Sequence, residues 1–139
     1  MVAGYAWEWV TKRKKGRAKE LHDITIEGLS YDWNSRAVDW ISSENSANEV
    51  GCIHTVQGYD LNYAGVIFGP EIGYDTDHHR IVIDKSKYFD RTGKTALESD
   101  EQLREYILNI YLTLMTRGIR GTFLYVCDEK LREFLRGYF

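Results

Sequence analysis

"IHTVQGYDLNYAGVIFG", residues 53–69, decides how this chain is read. It opens apolar, turns polar around Gly58, and closes in an apolar run through Val66, Ile67 and Phe68. Such a run reads as a strand covered on both faces, as in a parallel sheet with helices on each side. The polar interval packs four hydrogen-bonding side chains, His54, Thr55, Gln57 and Asp60, into a few residues. A loop leaving the carboxyl edge of a parallel sheet is where such folds place ligand contacts. The competing reading is an ordinary strand connection.

The flanking sequence extends the pattern. "EVGCIHT" (49–55) predicts a strand before the polar interval. "MVAGYAW" reads as a short strand at the start of the chain, and "HDITIEG" as another, with Ile24 and Ile26 alternating. A chain that opens inside a strand suggests a piece of something longer. "EIGYDTDHHRIVID" predicts a hairpin with its turn near Asp75–His79. Residues 30–48 are mixed, with Trp33 and Trp40 expected to pack onto the domain. "TKRKKGRAKE" (11–20) reads as a solvated loop that could add phosphate contacts. "KSKYFDRTGKTALE" (85–98) also reads as loop. Ser99 is a good N-cap for a helix whose stripe is Leu103, Ile107, Ile110, Tyr111 and Leu114. Gly118 falls where a left-handed C-cap would end it. "TFLYVC" predicts a buried strand, and "DEKLREFLRGYF" a short amphipathic helix. Strands alternating with helices argue for α/β.

Composition bounds the class. A chain of 139 residues suits one domain over 1–139. Apolar residues at 43% and charged residues at 28% fit a globular protein rather than a disordered one. A net charge of −3 gives no global pull on nucleic acid, so such binding needs a local patch. Cys52 and Cys127 are single and far apart, which fits a reducing, cytoplasmic setting. There is no signal-peptide pattern, and no apolar run approaches a membrane span.

Three stretches imitate other chemistry. "TGKT" (92–95) carries the end of a phosphate loop, but Tyr88 stands where that loop needs its first glycine. "FLYVCDE" (123–129) imitates a strand ending in a magnesium-binding acidic pair. Asp128 and Glu129 equally open a helix, which the helix dipole favours. "DTDHH" could hold a metal through Asp75, Asp77, His78 and His79; a polar hairpin tip is the plainer reading. A further stretch, "NIYLTLMTRGIRGTFLYV" (109–126), sets Arg117 at a helix end before a strand. That Arg either reaches across an interface or serves as a favourable cation on the helix dipole.

Taken together, "IHTVQGYDL" and "YLTLMTRGIRGTFLYV" resemble motifs V and VI of superfamily 1 helicases. The first resembles the His-Ser-Ala-Lys-Gly-Leu-Glu pattern and its Gln-Gly variant, the second the Tyr-Val-Ala-Leu-Thr-Arg-Ala pattern. With "VAGYAWEW" ahead of them, the chain looks closest to the C-terminal RecA-like domain of the bacterial Schlafen-like helicase-domain ATPases. The resemblance implies an α/β, RecA-like, three-layer sandwich with a mainly parallel sheet and an added β-hairpin. It implies a second motor domain of an ATP-dependent helicase or translocase, using ATP and Mg2+ in the parent protein and inactive as this isolated chain. The implied partners are an N-terminal RecA-like domain, which carries the phosphate loop, and single-stranded nucleic acid. His54 and Thr55 would face the nucleic acid. Gln57 and Gly58 would form the turn toward the nucleotide cleft, and Asp60 would accept from the ribose. Arg117 would be the arginine finger, with Arg120 next in line. Cys52 departs from the usual Thr, and Asp60 is one methylene shorter than the usual Glu. The alternatives are a metal-dependent nuclease built on residues 75–79 and a non-catalytic interaction module.

Overall fold

The computed structural model describes residues 1–13 and 21–139. In chain order the elements are β1 (Val2–Ala3), α1 (Val10–Arg13), β2 (Ile24–Ile26), β3 (Leu29–Trp33), β4 (Glu49–Cys52) and α2 (Ile53–Val56). Then come β5 (Leu61–Phe68), β6 (Ile72–Asp75), β7 (Arg80–Ile83), α3 (Arg91–Thr95), α4 (Asp100–Met115), β8 (Gly118–Val126) and α5 (Glu129–Arg136). Among the described residues six strands form one sheet, ordered β2-β3-β4-β1-β5-β8. Every neighbouring pair is parallel except β2–β3. β6 and β7 make a separate antiparallel hairpin, with Asp75 opposite Arg80. This mixed α/β architecture, mainly parallel with an added hairpin, is consistent with a RecA-like fold.

Strand alternation divides the core in two. Val2 lies level with Gly51 and Val66, and Ala3 with Cys52 and Ile67. Val2, Ala64, Val66, Phe68 and Val126 share one core with Leu103, Ile107, Ile110, Tyr111 and Leu114 of α4. Leu131 of α5 and Ile72 of the hairpin join it. Ala3, Val50, Cys52 and Ile67 face the other way, with Ile24 and Trp33. Among the described residues no long helix covers this second face. Aromatic rings cover it: Tyr5 stacks on Trp33 at 5.5 Å, and Trp7 and Trp9 pack around the same indole. Rings that each bury about 150–250 Å² can do a helix's work in a short segment. Helices on both faces were expected; among the described residues α4 and α5 lie on one face, and on the other these rings lead into the short α1.

Buried polar groups fix the irregular parts. The Asp23 carboxylate accepts from Thr11 N and Oγ1 and from Trp33 N, tying α1 to the β2–β3 pair. Trp40 Nε1 donates to Glu49 at 2.7 Å, and Cys52 N donates to Asn34 Oδ1 at 3.1 Å. The N-cap of α4 is Ser99, as expected, accepting from Gln102 N. Its end differs. Thr116 closes the helix in a right-handed conformation, and Gly118 opens β8 instead of forming a left-handed cap. Glycine is needed there for closeness: a Cβ would stand 2.3 Å from the Gly121 carbonyl oxygen.

Other expectations change as well. β3 lies in the segment read as mixed, held by pairing with β2 and β4. Residues 85–98, read as loop, contain a 3-10 turn, α3 and the fully buried Tyr88. β8 is an edge strand, not a buried one, and Phe123 on it is 71% exposed. Thr11–Arg13 belong to α1, and the rest of the basic stretch, 14–20, lies outside the described residues. Asp128 is an N-cap, as one reading had it: it accepts from Leu131 N at 2.7 Å and also from Tyr74 N, pinning the hairpin to α5.

Candidate functional site

The polar interval 54–60 is not one loop at one edge. β4 stops at Cys52, and α2 follows as a single turn whose Ile53 and Val56 enter the main core. Gln57, exposed, is extended, and Gly58 takes φ 83°, a conformation that favours glycine. The chain then reaches Leu61 at the amino edge of the sheet. His54 therefore stands at the carboxyl edge and Asp60 at the amino edge.

At the amino edge the two quoted stretches meet. Leu61 N donates to Arg117 O at 2.8 Å. Arg117 Nη1 lies 3.9 Å from Asp60 Oδ1. The guanidinium was expected to leave the helix end toward a partner domain. Instead it folds back, donating to Thr113 O at 3.2 Å and Tyr59 O at 3.4 Å. Its side chain is 24% exposed and that of Asp60 74%. Arg117 thus caps the carbonyl end of α4 as well as facing Asp60. Arg120 lies exposed on β8.

At the carboxyl edge His54 Nε2 lies 3.1 Å from Asp90 Oδ2, with the histidine half exposed and the aspartate buried. Asp90 also N-caps α3 by accepting from Gly93 N. Thr55 does not face outward. It is 8% exposed, with Oγ1 3.2 Å from Cys52 Sγ. Beside His54 a cleft of about 430 Å³ is lined by Tyr5, Trp9, Lys12, Phe89 and Arg91. Burial, with smaller electrostatic contributions, pushes the Tyr5 hydroxyl up to about 12. Of these, Lys12 lies in the basic run read as able to add phosphate contacts; sequence reading missed Tyr5, Trp9, Phe89 and Arg91 because separate segments supply them. The dense aromatic "GYAWEW" beside a basic run was the available signal.

The imitations resolve locally. "TGKT" is α3, and the Gly93 amide that a phosphate loop would offer to a ligand is taken by Asp90. At the hairpin tip Asp75 accepts from Asp77 N and His78 N, and His78 Nδ1 lies 2.8 Å from its Oδ2. Among the described residues no group of three or more His, Cys, Asp or Glu could hold a metal ion. No helix there is long and apolar enough to cross a membrane.

Among the described residues Glu71 is the most deeply buried carboxylate. Glu71 is 1% exposed and accepts from Tyr111 Oη at 2.5 Å, while its Oε2 has no partner. Burial raises it from 4.5 to about 7. Burial likewise pushes the Cys127 thiol up to about 11.

Residues 1–128 match the family model described as Schlafen group 3, DNA/RNA helicase domain. A Saccharomyces cerevisiae protein named "Uncharacterized protein YPL245W" is 40% identical over 98 residues, which cover 68% of this chain and 22% of that protein. The chain thus spans less than a quarter of that relative. No solved structure matches.

Proposed function

The chain belongs to the Schlafen group 3 helicase-domain family, and on that premise we propose that it is the second motor domain of an ATP-dependent nucleic-acid helicase or translocase. The observation that carries this is the meeting of Asp60 and Arg117, far apart in sequence and 3.9 Å apart at the amino edge. The residues present fit one side of a nucleotide. Asp60 offers an exposed carboxylate to a ribose hydroxyl, and Arg117 offers a planar fork to phosphate oxygens. They do not supply a phosphate cradle, which would come from an N-terminal RecA-like domain. ATP, held with Mg2+, would supply the phosphoanhydride whose hydrolysis drives the cycle. Arg117 would exchange two long contacts to neutral carbonyl oxygens for bidentate ones to anionic phosphate oxygens. That exchange lets it stabilise charge that develops late in phosphoryl transfer. At the other edge His54 would meet single-stranded nucleic acid.

The test is the ATPase rate of the longer parent protein carrying Arg117→Ala. Turnover should fall by roughly 10³–10⁵ at most, as for arginine fingers elsewhere, with ATP binding largely kept. Arg117→Lys should not rescue, because a point charge cannot reproduce the fork. The same change in this chain should cost about 1 kcal/mol of stability, since the contact to Thr113 is lost. Near-normal turnover would remove Arg117 from the mechanism and pass the role to Arg120.

A further inference from the structure

We propose that the cleft between Trp9 and Phe89 is a base-stacking site for single-stranded nucleic acid, with Lys12 and Arg91 as its phosphate contacts. This rests on the nucleic-acid half of the reading above and names residues it does not contain. Phe89 is 39% exposed although it is a large apolar ring beside a polar cleft. Its backbone N–H donates to Tyr5 O at 2.8 Å, so the two walls are tied together and the opening is preformed. Tyr5 in turn stacks on the buried Trp33 and lies 6.1 Å from Trp9, which holds that wall in place. The Lys12 ammonium sits 4.7 Å over the Trp9 ring, at the lip where a backbone phosphate would pass. His54 borders the same cleft, its orientation set by Asp90. A second cleft of about 560 Å³ adjoins, sharing Tyr5, Trp9, Lys12 and His54, so the opening runs on as a groove.

Charge sets the kind of binding expected. Lys12 and Arg91 are balanced by Glu8 and by Asp90, whose carboxylate is held by His54 and Gly93 N. Affinity here therefore comes from ring faces, with few phosphate contacts. Base–aromatic stacking tolerates any base, because every base has a π-face. The binding should be weakly sequence-dependent and only shallowly salt-dependent.

The experiment titrates a short oligothymidylate into this chain and follows fluorescence anisotropy of the labelled strand. Phe89→Leu should weaken binding roughly five- to hundred-fold, and Phe89→Tyr should restore most of it. Arg91→Ala should lower the log–log salt slope by about 0.7, one phosphate contact on a single strand. Tyr63→Leu removes another exposed aromatic, far from the cleft, and should change nothing. Melting curves confirm that each variant is folded. Equal losses from Phe89→Leu and Tyr63→Leu, or binding unaffected by Phe89→Leu, would overturn the cleft while leaving nucleic-acid binding elsewhere intact. No binding of the strand, or binding of mononucleotide as tight as of the strand, would also overturn it. Failure of the motor-domain reading is read separately, in the parent's ATPase.

Discussion

Glu71→Gln should flatten the pH dependence of stability on the alkaline side. In the folded chain burial lifts this carboxyl to about 7, against an ordinary 4.5. The groups around it are neutral. Tyr111 on α4 donates to Oε1 and is itself held well above its usual range by burial. The Cys127 thiol, pushed up to about 11, stays protonated. The folded chain therefore keeps a proton that the unfolded chain releases. The stabilisation is fully present below about pH 4.5 and is lost as pH rises through 7. A difference of roughly 2.5 units at about 1.36 kcal/mol each makes this about 3 kcal/mol between pH 4.5 and pH 9. The depressed carboxylates Asp75, Asp84 and Glu101 act in a separate window, losing their contribution as pH falls below the ordinary carboxylate range. Urea unfolding at fixed ionic strength from pH 4.5 to 9 gives both stability and slope. The parent chain should lose about 3 kcal/mol across the range and Glu71→Gln should lose little, whatever its offset at acid pH. Identical pH profiles for the two would refute the reasoning, for the folded state would then accept the charged carboxylate.

Three further outcomes follow from single contacts. Asp60→Ala in the longer parent should raise KM for ATP roughly ten- to hundred-fold and spare kcat, since a ribose contact serves ground and transition states alike; a fall in kcat at constant KM speaks against the ribose role. Gly51→Ala should destabilise by about 1–3 kcal/mol in urea unfolding, because the new methyl would stand 2.3 Å from the buried Trp40 ring; unchanged stability would mean that the ring can move aside. Asp128→Ala should cost about 1–2 kcal/mol, with faster amide exchange in both α5 and the hairpin; exchange faster in α5 alone would show that the link to Tyr74 carries no weight.

What the sequence revealed was local. The hairpin and α4 were legible because a turn-rich tip, an N-cap and a spaced stripe all lie within a few neighbouring residues. β3 was not, because "LSYDW" carries no continuous apolar run and becomes a strand only by pairing on both sides. The aromatic content announced itself, but not that Tyr5, Trp7 and Trp9 would all pack on Trp33 over the second face. Thr55 read as a ligand contact until the α2 turn rotated it inward onto Cys52. Asp60 and Arg117 were paired only by resemblance; no spacing rule relates them. Phe89 and Arg91 were hidden in a segment read as loop, since nothing local says that Tyr88 between strand and helix is fully buried.

The crossover from β4 to β5 has a mechanical consequence. Cys52 and Ile67 are both level with Ala3, so Leu61 begins about 20 Å further down the sheet. β1 intervenes, adding about 10 Å sideways, for a direct span near 22 Å. Fully extended, the nine steps between Cys52 and Leu61 would reach about 31 Å. The helical turn of Ile53–Val56 and the turn closed by Tyr59 N donating to Val56 O at 3.3 Å take up that excess. Ile53 and Val56 anchor the first of these turns in the core. His54 and Asp60 thus hang on one short connection, and shortening it by one residue would have to open one of its two turns.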